Sequence, residues 1–140
     1  IPRISCYPDE LNQVWTNILQ NAIQSMDNKG TIRIQLYSKF GSIYVSFKDT
    51  GAGIDESIKD KIFDPFFTTR PQGEGSGLGL SIVQKIIDKH YGKVEVQSFP
   101  GKGTTVTVVL PYTSRDSEQE EAKESQQKRV IHNTQKKRKP

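Results

Sequence analysis

The chain has 140 residues, 33% of them hydrophobic, and a formal net charge of +4. That length suits one domain with its own core, and the modest apolar fraction predicts that some of the chain lies outside it. No run nears the ~18 apolar residues of a membrane helix, and one cysteine with two histidines excludes an internal disulfide and makes a structural zinc site a poor fit. Residues 1–112 carry 12 Lys/Arg against 11 Asp/Glu, and residues 113–140 carry 8 against 5. The basicity therefore belongs to a tail, not to a nucleic-acid-binding face.

Pro2–Cys6 reads as an edge strand. Between Pro8 and Met26, the residues Leu11, Val14, Trp15, Ile18, Leu19, Ala22, Ile23 and Met26 recur at helical steps, which is one face of an amphipathic helix. Pro8 suits its first turn, Asp9 and Glu10 complement its positive pole, and Asn28-Lys29-Gly30 reads as its stop. Ile32/Ile34/Leu36 and Ile43/Val45/Phe47 then alternate as a hairpin turning near Gly41-Ser42.

Residues 55–62 predict a short helix capped by Asp55, and residues 63–77 a loop. A second amphipathic helix carries Leu78, Ile82, Val83, Ile86 and Ile87, with Gly92 as its cap. Val94/Val96 and Val106/Val108/Leu110 form a last hairpin, turning through Pro100-Gly101-Lys102-Gly103. Helix, hairpin, helix, hairpin predicts an α+β unit with helices on one face of a largely antiparallel sheet. Arg33, Gln35, Ser46, Lys48, Glu95 and Gln97 at alternate positions leave the other face wet. The domain spans 1–112, and 113–140 reads as a disordered polar tail, either merely solvated or a contact for an acidic partner.

Four features carry chemistry. Gln13, Asn17 and Asn21 line the rim of the first helix's apolar face; their amide oxygens are either a polar boundary row or ligands for a hard cation such as Mg²⁺. Asp49, in the run Asp49-Thr50-Gly51-Ala52-Gly53-Ile54, shares the inward parity of Ile43, Val45 and Phe47. A carboxylate there needs donors, supplied by an adenine amino group or by a strand-end cap. Gly51 and Gly53 would let a ring come close to the backbone.

Gly73, Gly75, Gly77 and Gly79 run into the second helix, as a phosphate cradle, a hinge, or both. They match neither the P-loop nor the dinucleotide-binding pattern. Phe63, Phe66 and Phe67 either fill the core or anchor a mobile loop, with Arg70 reaching a phosphate.

In order and spacing, Asn17-x-x-x-Asn21-Ala22, Asp49-x-Gly51-x-Gly53, Phe63-x-Pro65-Phe66, Gly77-Leu78-Gly79-Leu80 and Gly101-x-Gly103-Thr104 resemble the ATP-binding domain of sensor histidine kinases, over residues 7–111. The resemblance implies the Bergerat fold, a two-layer α/β sandwich on a mixed, mostly antiparallel sheet. It implies ATP and Mg²⁺ as cofactors, with Asn21 as the metal ligand, Asn17 its companion, and both with Arg70 in the catalytic set. Asp49, supported by Thr104, would accept from the adenine amino group, with Gly51 and Gly53 flanking the ring and Ile54 and Phe66 also in the ATP-binding set. Gly77, Leu78 and Gly79 would offer backbone N–H groups to the phosphates, Leu80 would join the ATP-binding set, and residues 64–76 would form the lid.

Asn17 stands where gyrase-like ATPases carry a glutamate that activates water. An amide is a poor base, whereas an imidazole needs little help near pH 7, so this position favours transfer to histidine. One departure from the pattern is Gln24, where some histidine kinases place a basic residue. The implied partners are a phosphoacceptor helical hairpin and, indirectly, a response-regulator receiver domain; no nucleic acid is expected, the isolated domain should be monomeric, and its place is cytoplasmic. His90, near a helix end, and His132, in the tail, read as non-functional. A serine kinase of the anti-sigma-factor type and a nucleotide-holding pseudokinase are the rival readings.

Overall fold

A computed structural model describes residues 2–67 and 79–112, together with Gln126 and Arg129. Helix α1 is Pro8–Ser25, β1 is Ile32–Lys39 and β2 is Ser42–Asp49. A short 3-10 helix, Glu56–Lys61, precedes α2, Gly79–Lys89, and strands β3, Lys93–Phe99, and β4, Gly103–Pro111, follow. The sheet order is β1-β2-β4-β3, with every pairing antiparallel among the described residues. The two helices pack on each other and, over β2 and β3, on the sheet, giving the two-layer α+β sandwich. Apart from Gln126 and Arg129, the expected tail 113–140 lies outside the described residues.

Buried residues Leu11, Val14 and Ile18 of α1 meet Val83, Ile86 and Ile87 of α2 and Phe47, Val108 and Leu110 of the sheet in one core. Trp15 stacks on Phe47 with ring centroids 5.8 Å apart. At ~100° per residue, Ile23 lies about 120° round the helix from Leu11, and this extreme of the expected apolar face is exposed.

Register puts matched residues in rows across the inner face. Val45, Val108 and Val94 make one row, and Phe47, Val106 and Val96 the next. One step further the row turns polar, with Ser98 paired to Thr104 beside Asp49, and all three are buried. That change of chemistry marks where the core ends and a site can begin.

Several expectations shift. Pro2–Cys6 forms no strand; residues 2–7 are irregular, with Ile4 and Cys6 resting on the core. The first hairpin turns at Phe40-Gly41, both at positive φ (51° and 76°), because Lys39 pairs with Ser42 and leaves a two-residue loop. Ile34 and Leu36 share the inner-face parity of Phe47 and Val45, yet are 54% and 51% exposed. The helices lie mainly over β2 and β3.

The α2 cap also differs. Tyr91, not Gly92, takes the left-handed turn (φ 60°), with Tyr91 N–H donating to Asp88 O and Gly92 N–H to Ile87 O, the paired bonds of a Schellman motif. Gly92 is required for another reason, since a Cβ there would run into Val109 O.

Candidate functional site

Asp49 ends β2 on the core side, as strand parity requires, and is 5% exposed. Its Oδ1 accepts the backbone N–H of Gly51 at 2.9 Å and of Thr104 at 3.2 Å. Among the described residues, both bonds fall on one oxygen of the carboxylate, Oδ1. Donors to the charged form are what a buried carboxylate needs.

Two loops are stitched together around this carboxylate. Ala52 O accepts Gly101 N–H at 2.7 Å, and a Cβ on Gly53 (φ 76°) would strike the Phe99 carbonyl. Gly103 (φ 90°) passes so close to Asp49 O that a Cβ has no room. The loop also closes onto the end of α1, where Ser25 O accepts Ala52 N–H at 3.2 Å. The glycines expected beside a ring therefore also serve close backbone approach.

Asn21 lies one helical turn before Ser25. Asn17 Nδ2 donates to Gly79 O at 3.4 Å, and Gly79 Cα presents its bare side to the Asn21 amide, where a Cβ would stand 3.5 Å from Nδ2. Both asparagines thus meet the first residue of α2. Leu80, next along, is half-buried. The set offers neutral amide oxygens beside a helix N-terminus, donor chemistry suited to Mg²⁺.

Ile54 donates its N–H to Ser98 Oγ at 2.7 Å. Phe66, expected in the ATP-binding set, is 74% exposed at φ 67°. Arg70, Gly77 and Leu78, like residues 68–76 of the expected lid, lie outside the described residues. Two participants were not anticipated, Ser25 and Ser98. For Ser98 the signal was available: it shares the inward parity of Val94 and Val96, and a serine on a buried parity needs partners.

Residues 6–114 match the sequence profile of the family described as Histidine kinase-, DNA gyrase B-, and HSP90-like ATPase. The chain is 49% identical over 102 residues to the signal transduction histidine-protein kinase AtoS of Escherichia coli K12, covering 72% of this chain and 16% of AtoS. It is 40% identical over 111 residues to the sensor histidine kinase ZraS of the same strain, covering 79% of this chain and 23% of ZraS.

Among solved structures, the nucleotide-free catalytic domain of histidine kinase ThkA superposes with a TM-score of 0.70 at 37% identity, covering 80% of this chain and 74% of that one. Full-length ShkA in complex with AMPPNP gives 0.71 at 27%, covering 81% and 24%. The chain belongs to the histidine kinase, gyrase B and HSP90-like ATPase family, and these relatives are histidine kinases. It spans about a sixth to a quarter of the length of these two curated relatives. Among the described residues, no helix is long and apolar enough to cross a membrane.

Proposed function

We propose that this domain binds Mg-ATP and passes the γ-phosphate to a histidine on a separate helical-hairpin domain of the same kinase, which then supplies a response-regulator receiver domain. The observation that carries the reading is the buried Asp49 carboxylate, held by two backbone donors on Oδ1 at the polar end of the inner sheet face. Its chemistry suits the amino group of adenine, and the AMPPNP of ShkA is a nucleotide of that kind.

In this reading Asn21, with Asn17 beside it, would hold the magnesium, which shields phosphate charge when bound. Gly77, Leu78, Gly79 and Leu80 would meet the phosphates at the positive end of α2, and Arg70 would add charge. Ile54 and Phe66 complete the nucleotide set. Asn17 offers no base, so the protein's work is positioning and charge neutralisation, with the imidazole as nucleophile. We place the domain in the cytoplasm, where ATP is, as a monomer in isolation, with 113–140 as a polar tail.

Calorimetry with ADP and ATP, with and without Mg²⁺, tests the site. Asp49→Ala removes a charge-assisted hydrogen bond of about 1.5–3 kcal/mol, a loss of roughly ten- to a hundredfold in affinity. Incubation with a supplied hairpin should give acid-labile phosphohistidine. Phosphoserine on a protein substrate would instead assign the serine-kinase reading, and nucleotide binding with no transfer the pseudokinase.

A further inference from the structure

We propose that Ser98 is a positioning residue that turns the Thr104 hydroxyl into a pure hydrogen-bond acceptor, so that the site selects a purine bearing a 6-amino group. The inference rests on the nucleotide reading above and deepens it. Ser98 stands outside the sequence motifs, at the end of β3 just before the turn that carries Gly101 and Gly103.

Ser98 is 1% exposed, and its single hydroxyl serves three neighbours. Ile54 N–H reaches Oγ at 2.7 Å, Gly103 O lies at 3.2 Å, and Thr104 Oγ1 at 2.8 Å. A serine hydroxyl has one proton and two lone pairs. Ile54 can only donate, which fills one lone pair; Gly103 O can only accept, which takes the proton. The remaining lone pair faces Thr104, so all three contacts are made together only when the Thr104 hydroxyl donates to Ser98.

Thr104 has then spent its proton on Ser98 and keeps only lone pairs for any ligand that reaches it. Asp49, fixed by Gly51 and Thr104 N–H, is an acceptor too. Two acceptors on residues joined by the Thr104 N–H bond to Asp49 fit the two N–H groups of a 6-amino purine. A 6-oxo purine would set a carbonyl against them and leave buried acceptors unpaired, the arrangement that discriminates most strongly in binding sites. Without Ser98, the Thr104 hydroxyl is free to rotate and donate to a 6-oxo group.

The test is titration of ADP and IDP into wild type, Ser98→Ala and Ser98→Cys, with thermal unfolding in parallel. Wild type should prefer ADP, and both variants should lose about tenfold or more of that preference, chiefly by gaining IDP affinity relative to ADP. Ser98→Cys keeps the shape with a weak hydrogen-bonding group and decides the matter if Ser98→Ala does not fold. A merely structural role would lower the unfolding temperature while ADP and IDP affinities fall together; that result overturns the proposal. So does a wild type that binds ADP and IDP equally. A folded wild type that binds no ADP overturns the nucleotide reading itself.

Discussion

His90 Nε2 accepts the backbone N–H of Tyr7 at 3.0 Å, so the residue closing α2 holds the residue from which α1 starts. The other ring nitrogen, Nδ1, lies 2.7 Å from Ile86 O. A carbonyl only accepts and an amide N–H only donates, so the partners assign the Nδ1–H tautomer. Nearby, Lys89 pairs with Glu10 at 3.0 Å, with side chains 49% and 36% exposed.

These two links between the same helix ends should differ in strength. His90→Ala empties a buried ring site and takes away the acceptor of the Tyr7 N–H, while Ile86 O keeps the residue-90 backbone N–H; it should destabilise by about 2 kcal/mol. Lys89→Ala breaks a solvent-screened pair and should cost under about 1 kcal/mol. Urea denaturation of both variants checks the ranking, and equal losses would contradict it.

Gly103 and Gly101 both sit at positive φ, 90° and 77°, but only at Gly103 would a Cβ strike backbone, at Asp49 O. Gly101→Ala meets open space and should cost about 1 kcal/mol of stability with ADP affinity kept. Gly103→Ala must move the strand end that carries Asp49, so it should cost more and also weaken ADP binding at least about tenfold. Calorimetry beside chemical denaturation separates the two outcomes.

The α2 cap allows a stabilising change. Tyr91 is exposed and left-handed, so Tyr91→Gly should relieve about 1 kcal/mol of backbone strain. Gly92→Ala, one residue on, runs into Val109 O and should destabilise. Melting temperatures moving in opposite directions are the expected result.

Asp55 caps the 3-10 helix by accepting the Ser57 N–H at 2.9 Å. That backbone bond, followed by the Ser57 hydroxyl, holds the Asp55 carboxyl below its ordinary 3.8. A carboxyl depressed in the folded state contributes stability above its unfolded pKa and loses it as pH falls through the folded one. A carboxyl-carbon NMR titration should give a midpoint below 3.8. Ser57→Pro, which removes the N–H, should bring it back up.

The sequence was most legible where one period ran long enough to be read. The α1 stripe, the alternation of β2 and β4, and the parity that buries Asp49 all follow from periods of 3.6 and 2. What stayed hidden depends on which neighbour arrives. Ile34 and Leu36 alternate like core residues, but alternation cannot say whether a helix covers them. Gly92 reads as a cap because caps favour glycine, while the strand crowding its Cα comes from a contact with Val109. Strand parity buries Ser98 but does not say that its partner is Ile54, 44 positions away, and His90 gains its role from Tyr7, 83 positions away, separations at which local pattern names no partner. The expectation for Gly77 and Leu78 rests on motif resemblance alone.

The single bond from Gly101 N to Ala52 O also sets an order of events. A chain emerging from the ribosome presents both asparagines and Asp49 early, yet the Thr104 amide that fixes Asp49 comes 55 residues after it. Until β4 has been made and laid against β2, the carboxylate has lost one of its two donors and its loop has nothing to lean on. Nucleotide capture is therefore among the last properties this domain acquires during synthesis, and a chain cut short before Gly103 should not acquire it at all.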